Sequence, residues 1–143
     1  RRRHSGLSAA RHQPLPGRGL RPARDMVTAG VPVAMATDFN PGSCPCLNLQ
    51  LVMNLGCLRY RLTPEEVLTA VTLNGAAAIG LADTVGSVET GKQGDLVIWE
   101  ADDLNYICYR MGSNLARTVI KKWTDRLRKN FNFFNRSGGT SYG

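Results

Sequence analysis

The feature that most restricts the fold is a short apolar run, Val31-Pro32-Val33-Ala34-Met35-Ala36-Thr37, which stops abruptly at Asp38. Alternation is absent from it, and its length and flanks suit a strand buried on both faces. Pro32 has no N–H to give a ladder, so it must sit near the strand's beginning. Met26 to Ala29 reads as a helix end, with Gly30 just past its C-cap. Strands of this kind belong to parallel sheets covered by helices, which makes the fold class α/β.

The next segments supply the helices. Residues 47–60 (LNLQLVMNLGCLRY) fit strand alternation and helical spacing equally well. They contain one β-branched residue and are rich in Leu, Met, Gln and Asn, which favours helix. Thr63-Pro64-Glu65-Glu66 places Thr at N-cap, Pro at N1 and Glu at N3, a capping box; Leu62 and Val67 form the hydrophobic staple. This helix is expected to run through Ala78 and end at Gly80. Beyond it, Thr84–Glu89 reads as a short strand or turn, Thr90–Gly94 as a turn and Asp95–Trp99 as a strand. Residues 101–112 read as a loop and Leu115–Lys121 as a last strand.

Composition sets bounds. The chain has 143 residues, 43% hydrophobic and 20% charged, an ordinary single-domain balance. It has no apolar run of about 18 residues to span a membrane and no apolar leader. Its 4 cysteines are too sparse for a disulfide scaffold and suit a reducing cytoplasm. The net charge of +7 comes from the two ends, while the centre is acidic. A nucleic-acid partner wants basic residues on a folded face, so this distribution argues against one. Residues 1–21 are Arg-rich, without a clear period, and read as a disordered or non-native head. Residues 123–143 read as a basic tail in which Phe131, Phe133 and Phe134 stand among Asn and basic residues.

The chemistry centres on Ala36-Thr37-Asp38-Phe39-Asn40-Pro41-Gly42-Ser43. A buried strand ends in a carboxylate and a polar loop, and strand C-terminal ends are where α/β folds gather ligands. An Asp there can equally cap a turn, so on the residues alone the two readings stand level.

The runs MVTAGVPVAMATDFNPGSCPCLNLQLVMNL, CLRYRLTPEEVLTAVTLNGAAAIG, VGSVETGKQGDLVIWE and RTVIKK closely resemble the imidazolonepropionases of the metal-dependent amidohydrolase superfamily. The resemblance covers Pro22 to Lys122. It implies the C-terminal fragment of a (β/α)₈ TIM barrel, with residues 22–82 as last strand and helices. Residues 83–122 would then be strands of a small β-sandwich domain. The implied reaction is metal-dependent hydrolytic ring opening of 4-imidazolone-5-propanoate to N-formimidoyl-L-glutamate, part of histidine breakdown. By position, Asp38 takes the metal-ligand and catalytic role, and Asn40, Gly42 and Ser43 the substrate contacts. One divalent metal, zinc or iron, is implied. So are a small-molecule substrate, the missing N-terminal part of the same enzyme as partner, a homodimer when complete, and a cytoplasmic location.

The departure from the family is in the histidines. The two present, His4 and His12, lie in the unmatched head and do not form the family's H-x-H. One carboxylate cannot make a site that needs about three or four protein ligands, so the chain alone is expected to be inactive. A partial barrel is also expected to aggregate or remain partly molten. Cys44-Pro45-Cys46 with Cys57 and Cys108 matches no strong zinc spacing and reads as free thiols. The rival readings are another cyclic-amide amidohydrolase or deaminase, and a non-enzymatic protein binding nucleic acid through its basic ends.

Overall fold

The computed structural model describes residues 5–8 and 22–128, with the backbone alone for 5–8 and 124–128. In chain order the elements are β1 (Ser5–Ser8), α1 (Ala23–Thr28), β2 (Val33–Ala36), α2 (Leu49–Tyr60), α3 (Pro64–Val71), α4 (Leu73–Ala78), β3 (Leu96–Trp99), α5 (Leu104–Tyr109), β4 (Ala116–Lys121) and β5 (Thr124–Arg128). β1 pairs β2 in parallel, Ser5 opposite Val33 and Ser8 opposite Ala36. β3, β4 and β5 form a separate antiparallel sheet in that order. The chain is therefore α/β, with a parallel pair and helices first and a small antiparallel sheet after them.

The apolar run becomes β2, but one face carries the burial. Val33 and Met35 are buried, whereas Ala34 is half-buried and Ala36 exposed. The expectation of a strand buried on both faces is thus corrected. Helices α1, α2, α3 and α4 all contact the strand, and the Ala34 and Ala36 side is the less buried of the two. Val52, Met53, Leu62, Val67 and Ala70 complete the core with Ile107 and Cys108. Gly56 lets α2 approach: a Cβ there would meet Val67 Cγ2 at 2.8 Å and Met35 Cε at 3.0 Å.

The Thr63 cap forms as read. Glu66 N–H donates to Thr63 Oγ1 at 3.3 Å, and Thr63 N–H donates to Glu66 Oε2 at 2.8 Å. Arg24 of α1 adds a two-pronged bond to the Glu66 carboxylate, at 2.7 and 2.8 Å. The guanidinium, then the Thr63 N–H, hold the Glu66 carboxyl below its ordinary range. The helix does not continue unbroken to Ala78. Thr72 leaves helical geometry (φ −112°, ψ −86°), and its hydroxyl bonds back to Leu68 O at 2.6 Å. α4 then sits on β2 through Asn74 Nδ2, which donates to Val33 O at 2.9 Å.

Three further expectations are corrected. Ser5–Ser8, read as disordered head, forms β1, because ladder hydrogen bonds use backbone groups that every non-proline residue carries. Within 101–112, read as loop, α5 forms with Asp103 as its N-cap, Oδ1 accepting from Tyr106 N–H at 2.7 Å. Within the tail, Thr124–Arg128 adds β5 to the sheet. Lys122 and Trp123 make the two-residue connection with positive φ at both (51° and 59°), the hand that matches strand twist. Trp123 N–H donates to Gly94 O at 2.9 Å, and its ring lies where a Cβ on residue 94 would go. The remaining head, Phe131, Phe133 and Phe134 lie outside the described residues.

The hairpin is fastened at Asp95, which accepts from Lys121 Nζ, from Lys122 N–H at 2.9 Å and from Gln93 Nε2 at 2.7 Å. Lys121 first, then the Lys122 N–H, hold this carboxyl down at about 2. An unfolded Asp titrates near about 3.9. Its folded value is lower, so the stabilisation is complete above pH about 4 and is lost as pH falls to about 2. Urea midpoints measured across this window should fall with pH, and Asp95→Asn should flatten that dependence. An unchanged slope in the variant would refute the assignment.

Candidate functional site

Asp38 lies two residues beyond β2, at the strand's C-terminal end. Its backbone is left-handed (φ 51°), a region Asp tolerates better than most residues. The turn brings the chain away from the sheet and leaves the Asp38 side chain exposed.

The loop that follows is organised by Asn40. Its Nδ2 donates to Asp38 O at 2.7 Å, while its Oδ1 accepts from Gly42 N–H (3.0 Å), Ser43 N–H (2.7 Å) and Ser43 Oγ (3.1 Å). An antiparallel bridge between Asn40 and Cys44 closes the turn, and the buried Cys44 thiol donates to Thr37 O at 3.0 Å. The structure therefore brings Asp38, Asn40, Gly42 and Ser43 onto one loop. Asn40, Gly42 and Ser43 bond chiefly to one another, which holds the loop in shape before any ligand arrives. The Asp38 carboxylate stands outside that network.

A divalent cation wants three or four protein ligands. Among the described residues no group of three or more His, Cys, Asp or Glu side chains is placed to hold a metal ion. His4 and His12 lie outside the described residues. The site as described does not fit a metal; it offers one carboxylate. A recess of about 390 Å³ at the strand's other end, lined by Val31, Pro32, Leu62, Glu65, Glu66 and Asn74 among others, lies away from Asp38.

The loop's footing on α2 uses residues that composition does not single out. Asn48 caps that helix, Oδ1 accepting from Leu51 N–H at 3.1 Å. Gln50 and Asn54, one turn apart and both buried, reach across to α5. Gln50 Nε2 donates to Ile107 O (3.1 Å) and Arg110 O (3.3 Å), and Asn54 Nδ2 to Ile107 O (3.1 Å). Gln50 Oε1 also accepts from Leu115 N–H at 3.0 Å. These amides satisfy carbonyls that a helix end leaves open. The legible signal was two amides at i, i+4 on a face otherwise filled by Val and Met.

The sequence profile described as the amidohydrolase family matches residues 7–140. The imidazolonepropionase of Alkaliphilus oremlandii is 54% identical over 99 residues, which are 69% of this chain and 24% of that protein. That of Streptococcus sanguinis is 50% identical over 100 residues, 70% of this chain and 24% of that protein. The chain thus spans about a quarter of the length of these curated relatives. Among solved structures, a zinc-bound adenosine deaminase from Xanthomonas campestris superposes with TM-score 0.69 at 27% identity, over 77% of this chain and 29% of that one. An amidohydrolase from Thermotoga maritima gives TM-score 0.58 at 25% identity, over 74% and 25%. With the profile running through both sheets and every helix described, the chain belongs to the amidohydrolase family.

Proposed function

We propose that this chain serves as the C-terminal part of an imidazolonepropionase, which opens the ring of 4-imidazolone-5-propanoate with water to give N-formimidoyl-L-glutamate. The observation that carries the reading is the Asp38 loop. It stands at the C-terminal end of a parallel strand, inside a stretch similar to imidazolonepropionases at 46% to 54% identity. In this reading residues 22–82 supply the last strand and helices of a (β/α)₈ barrel, and residues 83–122 strands of a small β-sandwich domain. The exposed Ala36 face of β2, and Leu47, Ile79 and Val88 at 72%, 70% and 79% exposure, become surfaces for the N-terminal part of the same enzyme. The complete enzyme is proposed to be cytoplasmic and homodimeric. The described helices include none long and apolar enough to cross a membrane.

Asp38 is the residue assigned to chemistry. Its carboxylate takes a proton from the attacking water as the water oxygen bonds to the ring carbonyl carbon. It then returns that proton to the ring nitrogen as the C–N bond breaks. Asn40 accepts the Gly42 and Ser43 donors and so fixes the shape of the loop beside Asp38 before substrate arrives, leaving the Ser43 hydroxyl oxygen as an acceptor. Zinc or iron belongs to this proposal for the complete enzyme only, where further ligands join Asp38. The family's deaminases share the fold at 27% identity or less, well below the identity to imidazolonepropionases, and the FNPGS loop goes with the latter.

The test is a chimera in which residues 22–122 replace the matching C-terminal part of the Alkaliphilus oremlandii enzyme. Imidazolone absorbance should be consumed at a rate within about tenfold of the parent, or about 1.4 kcal/mol of transition-state stabilisation. The isolated chain should show no turnover. A folded chimera that leaves the imidazolone untouched, or that deaminates adenosine instead, would overturn the reading.

A further inference from the structure

The Asp38 loop hangs between two elements, so its place is only as well defined as its two ends. One end is β2, held by its ladder to β1, by the burial of Val33 and Met35, and by Asn74 Nδ2 on Val33 O. The other end is the first turn of α2. Between the buried Cys44 and Gln50 every residue is exposed or half-buried, Leu47 and Leu49 among the exposed ones. Apolar packing therefore does not seat this turn. Gln50 does: it is 4% exposed, and its amide is engaged at both ends. Nε2 donates to Ile107 O (3.1 Å) and Arg110 O (3.3 Å), and Oε1 accepts from Leu115 N–H (3.0 Å). Turning the amide over would set its oxygen against two carbonyls, so one orientation is fixed. Leu115 O in turn accepts from Glu100 N–H at 2.8 Å, one residue beyond β3. The contacts thus run from the loop's end, through one buried side chain, into the small sheet.

We propose that Gln50 is a positioning residue for the Asp38 loop. It holds the loop's α2 end against the 107–115 segment, so that the small antiparallel sheet sets where the Asp38 carboxylate stands. The inference rests on the reading of Asp38 as general base given above. A base works only within hydrogen-bond reach of the proton it takes, and a misplacement of about 1 Å can cost about 10²-fold in rate. Asn40 keeps the loop's internal shape but not its placement, because its side-chain bonds stay within the loop. Without the Gln50 amide, Arg110 O and Leu115 N–H lose this partner, while Ile107 O keeps Asn54 Nδ2. The two helices stay joined, but the first turn of α2 is released. Asn54 fastens the same helix pair one turn farther from the loop, which makes it the natural comparison.

The experiment compares Gln50→Met and Asn54→Ala in the chimera, assayed on imidazolone well below the melting temperature of each. Gln50→Met keeps the length of the side chain and drops its three hydrogen bonds. Its kcat should fall about tenfold, by more than KM rises, while Asn54→Ala stays within about twofold of the parental kcat. Hydrogen exchange gives a readout apart from activity. The Leu51 and Val52 amides, both bonded to Asn48, should exchange faster in Gln50→Met and not in Asn54→Ala. If Gln50→Met does not fold, Gln50→Asn takes its place: it keeps an amide one methylene short of its partners, and the same ordering against Asn54→Ala is expected. A parental kcat without Gln50, or an equal loss of kcat in both variants, would overturn the proposal. An inactive parental chimera would strike the hydrolase reading alone, and the exchange contrast would still decide whether Gln50 seats the turn.

Discussion

Asp38→Asn, made in the chimera, should lower the rate of imidazolone ring opening by about 10²–10⁴-fold, the usual contribution of a positioned general base. The substitution is a clean probe because of the backbone. Asp38 sits at φ 51°, and Asn tolerates that region as well as Asp does. Its side chain makes none of the hydrogen bonds that close the loop: these run from Asn40 to Gly42, Ser43 and the Asp38 carbonyl. Melting temperature should therefore stay where it was while turnover collapses. Asp38→Gly sharpens the point, since Gly adopts positive φ without a Cβ penalty. That variant should be equally inactive and no less stable. Asn40→Ala should behave differently. Three donors on an exposed loop lose their shared acceptor and turn to water, so KM should rise more than kcat falls. If Asp38→Asn kept the parental rate, the carboxylate would be a turn residue and nothing more.

What could be read from the sequence was what short-range chemistry dictates. The Thr63-to-Glu66 cap needs residues three apart, and the reading matched it atom for atom. Asp38 at a strand's end was legible because an apolar run stopped against a charge. The misses have one physical source: partners distant in sequence. β1 carries no pattern of its own and is a strand because β2 offers it a ladder. β5 was hidden because Lys122 and Trp123 adopt a turn that usually takes Asn or Gly. α5 is six residues long, below the length at which periodicity speaks, and its Asp103 cap was read as loop. The helix break at Thr72 lies just before Asn74, whose partner Val33 is 41 residues away. Within the loop, the sequence order already puts Asp38, Asn40, Gly42 and Ser43 side by side, but the bonding of Asn40 to its own loop is not legible. An Asn in a polar loop looks the same whether it faces a ligand or its own backbone.

Met53→Ala, made in the chimera, should be the most destabilising single truncation in α2. Met53 is 2% exposed and sits in the cluster with Val33, Met35 and Val67. At such burial the substitution should cost about 2–5 kcal/mol from lost transfer energy and the cavity left behind. A domain of this size has only about 5–15 kcal/mol in total. At the middle of both ranges about a third of it would go, and the urea midpoint should fall steeply with the slope unchanged. Asn54, the next residue along the helix, offers the contrast. Asn54→Ala removes little apolar area but takes the side-chain donor from Cys108 O, while Ile107 O keeps Gln50 Nε2, and so leaves a buried carbonyl under-satisfied, worth about 1–3 kcal/mol. Its loss should be local: hydrogen exchange should quicken in α5 while the amides of α3 stay protected. Equal exchange throughout both variants would mean that α5 unfolds only with the core, and that the amide contacts from α2 are not what holds it in place.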